Sequence, residues 1–353
     1  MSRLTVLRPA HPTGAHAIVR SGPATASVPV PAPLRPAASS GEGDRGSAPC
    51  RRTIEDTGLS VHPLALGCSS FGWSLDGETS RRVLDVHREL GGNLLDTADS
   101  YSSGRSETII GSWMRTRASR DETVIATKIG RNRDNPGLSP ASIVRAVDAS
   151  LERLGTDHID LLYFHFDDPN VPLEESLGAV ANLIDKGKVA HLGASDFSAD
   201  RLIEARVLAA NGLPRFVALE THLNLVHRAP FESSLALVAQ AQGLAVFPYF
   251  ALAHGFLAGR YRGRTDVTST TRGKRAGQYV NRKNLRVLAV ADRIAAEHDV
   301  PVATICLAWL IARTGVVAPV AGAGHPDQVE ALVAAASIRL GRSDLVELDR
   351  VST

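Results

Sequence analysis

The chain has 353 residues, 44% hydrophobic and 22% charged, with a formal net charge of +2. These proportions exclude a collagen-like repeat, a disulfide-stapled miniprotein and a chain disordered throughout. A charge balance this near neutrality argues against nucleic acid as the main partner.

The first 49 residues differ from the rest: they hold 8 of the 19 prolines, 9 alanines and two acids, Glu42 and Asp44, and no aromatic residue precedes Phe71. Such a segment buries too little apolar surface to offset its ordering entropy, so residues 1–50 are expected to be a disordered extension. Cys50, Cys68 and Cys306 are far apart and lack metal-ligand spacing, the pattern of reduced thiols in a cytosolic protein.

From residue 51 onward short apolar runs alternate with amphipathic stretches. The runs are Leu64–Leu66, Asn93–Leu95, Val124–Ala126, Ile159–Tyr163, Val189–Leu192, Phe216–Leu219, Ala245–Phe247 and Val316–Val320. Arg51 to Val61 reads as a small hairpin able to plug a barrel floor. Ile143, Val147, Leu151 and Leu154 recur at helical spacing, with Ser139 as N-cap, Pro140 in the first turn and Gly155 as the stop. Leu173, Leu177, Val180 and Ile184 mark a second such helix. The longest uncharged stretch, Ser233 to Gly259, is broken by Gln240, Gln242, Gly243, Pro248 and His254. It reads as a helix, a buried strand and a loop, not as a membrane span. Gly263 to Asn284 is a polar, basic insertion with Arg264, Arg272, Lys274, Arg275, Arg282 and Lys283, either a solvated loop or a flap over a phosphate-bearing ligand.

Eight βα units over about 300 residues predict a single-domain (β/α)8 TIM barrel over residues 51–353, with right-handed crossovers. The first strand ends Leu66-Gly67-Cys68-Ser69-Ser70-Phe71-Gly72, which is not the Gly-rich turn of an open dinucleotide-binding sheet.

Barrel chemistry sits at the C-terminal ends of the strands. Those ends bring Asp96, Tyr101, Lys128 and His165 to one rim. A phenol has an ordinary pKa of about 10. A neighbouring ammonium lowers it, and a carboxylate keeps a buried lysine charged. The set therefore reads as a tyrosine tuned to protonate an alkoxide, with an imidazole to orient a carbonyl. Phe71, Trp73, Phe166 and His254 follow strand ends and are expected to line the mouth. Asp167 and Asp168 read either as contacts to substrate hydroxyls or as loop residues.

At this point the sequence resembles the aldo-keto reductases. The resemblance rests on Asp96-Thr97-Ala98-Asp99-Ser100-Tyr101, Ala126-Thr127-Lys128, Leu161-Leu162-Tyr163-Phe164-His165, Gly193-Ala194-Ser195-Asp196-Phe197, Pro248-Tyr249-Phe250-Ala251-Leu252 and Ala321-Gly322-Ala323-Gly324-His325-Pro326. It covers about residues 51 to 350. It implies a barrel that binds a nicotinamide dinucleotide, NADP(H) with NAD(H) also possible, and reduces a small-molecule carbonyl. On this resemblance Tyr101 is the general acid, Lys128 tunes it, Asp96 holds Lys128 and His165 orients the carbonyl.

The resemblance also implies a cofactor site. Cys68 falls beside the expected nicotinamide, Tyr249 stacks on it, and Ser195, Asp196 and Glu220 meet its carboxamide. The backbone from Phe250 through Ala251, Leu252, Gly255 and Leu257 wraps the pyrophosphate, with Arg260 beside it. Gly322, Gly324 and Gln328 fall on the adenosine side. Two positions depart from the family's amides: Asp196 replaces an asparagine and Glu220 a glutamine. A carboxylate accepts hydrogen bonds but donates none unless protonated, and its charge would favour the oxidised ring. Gly324 stands where a basic residue often faces the 2′-phosphate, and the flap arginines are candidates to supply that charge. Ala331 and Leu332 replace two further family contacts.

Two alternatives stand beside the reductase reading. One is a redox sensor resembling the potassium-channel β subunits, and the other a ketoreductase of nucleotide-linked sugars. No motif points to nucleic acid, a membrane or a metal, and the sequence leaves the oligomeric state open.

Overall fold

The computed structural model describes residues 51–353; the expected disordered extension lies outside the described residues. Eight parallel strands follow one another around a barrel: β1 (Ala65–Gly67), β2 (Leu94–Asp96), β3 (Val124–Ile129), β4 (Ile159–Phe164), β5 (Val189–Ser195), β6 (Phe216–His222), β7 (Ala245–Tyr249) and β8 (Val320–Ala321). Each lies at one of the eight apolar runs. β8 returns to β1 in the register Val320↔Ala65 and Ala321↔Leu66.

The last strand is shorter than its apolar run. Pro319 has no N–H to give to a ladder, so only its carbonyl is used, accepting from Ala65 N at 3.0 Å. The ring closes onto β7 further back, through a bridge between Val246 and Val316. There Val246 N donates to Gly315 O and Val317 N to Val246 O, both at 2.9 Å.

Helices sheathe the barrel: α1 (Gly77–Glu89), α2 (Arg105–Arg117), α3 (Pro140–Leu154), α4 (Leu173–Asp185), α5 (Ala199–Ala210), α6 (Ser234–Ala241), α7 (Thr271–Gly277), α8 (Arg282–Glu297), α9 (Val302–Ile311), α10 (Val329–Val333) and α11 (Arg342–Ser352). α3 begins and ends where its sequence signals do. The Ser139 hydroxyl accepts from Ser142 N, and Gly155 takes a left-handed φ of 64°. α9 is buried from Ala303 to Ile311, which explains its lack of a polar face. Among the described residues no single helix is long and apolar enough to cross a membrane.

The apolar interior has two parts. One lies between the strands and their helices. The other fills the barrel itself with Ala65, Leu94, Val124, Leu161, Tyr163, Val217 and Phe247 among others. Residues 52–61 form the expected hairpin, pairing Arg52 with Val61 and Thr53 with Ser60. Its Ile54 and Val61 are fully buried in the barrel interior. Each contributes about 1.5–3 kcal/mol by leaving water, so the hairpin seals the floor. Gly193 serves the same interior, because a Cβ there would lie 2.5 Å from the Tyr163 ring.

Candidate active site

The mouth of the barrel gathers the four residues read from the strand ends. Lys128 on β3 is the hub. Its Nζ donates to Asp96 Oδ1 at 2.6 Å, to Thr97 O at 3.1 Å and to the Tyr101 hydroxyl at 3.4 Å. Lys128 is 1% exposed and Asp96 4%. Burial alone would strip the lysine of its proton, but Asp96 and Glu220 outweigh it and hold its pKa well above the ordinary value. The Tyr101 and His165 rings meet edge to face with centroids 6.0 Å apart. Burial, followed by the charges of Lys128 and Arg131, pushes His165 down to about 2, so its imidazole is neutral. Its buried Nδ1 has no hydrogen-bond partner.

The expected lowering of the Tyr101 pKa is not what this geometry produces. Burial raises it, and although Lys128 pulls it down, Asp96 and Glu220 push it back up. The free site therefore holds Tyr101 as a phenol with its proton in place. The segment that presents it is strained: Ser102 and Ser103 both take left-handed φ angles, of 52° and 55°. The Ser102 hydroxyl anchors it by donating to Phe71 O at 2.8 Å.

The residues read as cofactor contacts fall into three places. At the barrel mouth, Glu220 on β6 lies beside Ser195 on β5, in register, and its Oε2 is 3.3 Å from Lys128 Nζ. Burial and then Asp96 push the Glu220 carboxyl up to about 8. Asp196 accepts from the Tyr249 hydroxyl at 2.7 Å and pairs with Arg131 at 3.1 Å. Along the β7 exit, the Phe250 to Gly259 backbone coils tightly, with left-handed φ angles at Phe250 (48°), Ala253 (46°) and His254 (57°). Ala251 and Leu257 are buried beneath it. Beyond β8, Gly324 N donates to Gln328 Oε1 at 2.9 Å. Gly322 is needed for close packing, since a Cβ there would lie 2.7 Å from Gly67 O.

The basic insertion is partly helical, not wholly loop, and it reaches this third place. Arg272 on α7 points its Nη1 to within 3.9 Å of where a Cβ on Gly324 would stand. It also lies near Arg260, whose charge depresses its pKa after burial does. Neither arginine is ion-paired among the described residues. An arginine of the insertion thus occupies the neighbourhood where Gly324 leaves a basic residue missing.

Other expectations do not match the placement. Cys68 is fully buried, its Sγ donating to Leu66 O at 3.3 Å, so its thiol is already engaged with the backbone of its own strand. Phe71 is fully buried too, because residues 68–75 fold back through Gly72 N to Leu75 O and tuck the ring beneath the loop. Trp73, by contrast, is 65% exposed and Phe250 41%. Phe166 lies under the Arg131 guanidinium, 5.6 Å from ring centroid to carbon. Asp167 and Asp168 are structural. The first is held by Arg201 at 2.8 Å, and the second accepts from Leu138 N at 2.9 Å. Leu332 is a core residue, and Ala331 O accepts from Thr304.

Two features had no separate reading in the sequence. Glu107 is fully buried behind the Tyr101 segment, accepting from Thr127 Oγ1 at 2.6 Å and Arg153 Nε at 2.7 Å. Asp99 beside it is pushed up to about 7 by burial and by Glu107. At the mouth His222 stacks on His227 with centroids 3.6 Å apart, within reach of Tyr249 and Phe250. Among the described residues no three His, Cys, Asp or Glu side chains are grouped to hold a metal ion.

Comparison with known proteins fits this geometry. Residues 63–353 match the sequence model of the Aldo/keto reductase family. A norsolorinic acid reductase of Aspergillus flavus is 31% identical over 310 residues, 83% of this chain and 78% of that protein. The aldo-keto reductase AFTS1 of Alternaria alternata is 30% identical over 338 residues, 86% of this chain and 92% of that protein. An aryl-alcohol dehydrogenase of Pestalotiopsis microspora is 29% identical over 307 residues, covering 82% of this chain and 78% of its own.

Proposed function

The chain belongs to the aldo/keto reductase family, an oxidoreductase family acting on small-molecule carbonyls, and on that footing we propose an NADP(H)-dependent reductase of aromatic aldehydes or ketones. The observation that carries the reading is the position of one ammonium. Lys128 Nζ lies 2.6 Å from a buried carboxylate and 3.4 Å from the phenol that would give up a proton.

A nicotinamide dinucleotide fits the donor set. Tyr249, Ser195, Asp196 and Glu220 would face the nicotinamide, and the Phe250–Gly259 backbone with Arg260 would face the pyrophosphate. Arg272, Gly324 and Gln328 would face the adenosine end. Arg272 supports a cofactor with a 2′-phosphate, because an unpaired guanidinium favours a phosphate over a hydroxyl.

When bound, the reduced cofactor supplies a hydride to the carbonyl carbon. The chain supplies the proton and the field. The Tyr101 hydroxyl protonates the carbonyl oxygen, and Lys128 stabilises the phenolate left behind. Asp96 keeps Lys128 charged and aimed. The neutral His165 imidazole orients the carbonyl oxygen against the Tyr101 hydroxyl. Trp73, Phe166 and Phe250 provide rings against which a flat aromatic substrate can lie. The names of the norsolorinic acid reductase and the aryl-alcohol dehydrogenase are in keeping with that class. The free, buried Cys68 and Cys306 accord with a cytosolic setting.

The test is to titrate the protein with NADPH and NADH by fluorescence, then follow oxidation of the reduced cofactor with a panel of aromatic aldehydes and ketones. NADPH is expected to bind more tightly and to be oxidised over many turnovers. Tyr101→Phe should retain cofactor binding and lose turnover by about 10²-fold or more. Retained turnover in that variant would refute the assignment. Binding without repeated turnover would favour the redox-sensor alternative.

A further inference from the structure

We propose that Glu220 holds a proton in the resting site and delivers it through Lys128 to Tyr101, so that the site, cofactor included, gains no net charge during reduction. The inference rests on the reductase reading above and deepens it.

The geometry is two carboxyl groups against one ammonium. Asp96 Oδ1 and Glu220 Oε2 lie 2.6 and 3.3 Å from the same Nζ. All three side chains are buried, Glu220 at 2% exposure. The Asp96 contact is a hydrogen bond, whereas Glu220 Oε2 has no aligned hydrogen-bond partner. The other groups around Glu220 do not balance it. They are Tyr101 after β2, Tyr163 on β4, Asp196 after β5, and Tyr249 on β7, with His165 just after β4 on the far side of Lys128. The tyrosines and His165 are neutral, and Asp196 is already paired with Arg131. Two ionised carboxylates would therefore leave one uncompensated negative charge away from water. A buried group in that position keeps its proton. Asp96, closer and hydrogen-bonded, keeps the charge, and Glu220 keeps the proton. The upward push on the Glu220 carboxyl agrees with this order.

The proton count closes. Reduction of a carbonyl adds one hydride, supplied by the reduced cofactor, and one proton. As the product O–H bond forms, the Tyr101 O–H breaks. A Lys128 N–H then breaks as the Tyr101 O–H reforms, and the Glu220 O–H breaks as the Lys128 N–H reforms. Tyr101 and Lys128 end as they began, and Glu220 has lost one proton. The chain's cluster has gone from neutral to singly negative, which offsets the positive charge of the oxidised ring. A glutamine at this position holds no proton to give. Glu220 acts through Lys128, and so is a positioning residue that also stores the proton.

Isothermal titration of the full chain with NADP⁺ and with NADPH at neutral pH, in two buffers of different ionisation enthalpy, counts the protons released on binding. Wild type should release nearly one proton per NADP⁺ and none per NADPH. Glu220→Gln should bind both and release none. In the cofactor-free protein, the infrared spectrum should contain a protonated-carboxyl band that Glu220→Gln lacks. Equal proton counts in the two proteins, or no such band, overturns the proposal and leaves the reductase reading standing. If wild type binds neither dinucleotide, both fall together. Should Glu220→Gln not fold, wild type alone decides. Its NADP⁺ affinity should rise up to tenfold per pH unit below about pH 8, and a flat profile overturns the proposal.

Discussion

Arg272→Ala tests the placement of the basic insertion. Arg272 and Arg260 lie close enough that the charge of one depresses the pKa of the other, and no carboxylate pairs with either among the described residues. An anion set between them relieves that repulsion. A charge-assisted hydrogen bond to a phosphate contributes about 1.5–3 kcal/mol, or roughly 10–150-fold in affinity. Because the Arg272 side chain, though partly packed, is still reached by solvent, salt screening trims the effect, and the lower part of that range applies near 0.15 M salt, where the Debye length is about 8 Å. NADPH affinity should fall about tenfold, and more at low salt, while NADH affinity changes by less than about twofold. Fluorescence titrations with both cofactors at two salt concentrations measure this. An equal loss for both cofactors would refute the reasoning, since it would mean that Arg272 meets a part common to the two molecules.

Two further substitutions probe the scaffold. Ile54→Ala empties a fully buried position in the floor plug and should cost about 2–5 kcal/mol in urea denaturation; a loss below about 1 kcal/mol would mean the hairpin is not part of the packed core. Burial and the adjacent His62 push His87 down to about 3, below its unfolded value near 6.5. As pH falls below 6.5 the unfolded chain takes up the proton first, so stability is lost progressively between about pH 6.5 and 3. At pH 5 that loss is about 2 kcal/mol. His87→Gln should lose correspondingly less stability between pH 7 and pH 5 than wild type, and identical slopes would remove the imidazole from the account.

What could be read from the sequence was what repeats locally. Aliphatic runs such as Ile159–Tyr163 mark strands because both faces of a barrel strand are buried. Ser139, Pro140 and Gly155 delimit α3 because caps are local hydrogen-bond chemistry. The strand-end rule brought Asp96, Tyr101, Lys128 and His165 to one rim. Other contacts depend on partners far away in the chain. Asp196 meets Tyr249 across 53 positions and Arg131 across 65, and nothing near residue 196 announces either. Arg272 and Gly324 approach only because α7 folds over the β8 loop. Phe71 was misplaced because its position after a strand does not say which way the loop turns. The Tyr101 pKa was misjudged because the sign depends on two carboxylates sharing one lysine, one of them on β6.

The seam between β7 and β8 has a consequence for the behaviour of the whole ring. Most neighbouring strands share several paired residues, five between β4 and β5, whereas β7 meets the final strand segment through the two hydrogen bonds around Val246. Local opening begins where such bonds are fewest. The loops carrying Arg260 and Gln328 leave the two sides of that seam. A long ligand held by both would act as a strap across it, and amide exchange at Val246 and Val317 would slow when the strap is in place. Recognition of the cofactor's far end would then be one act with the fastening of the barrel.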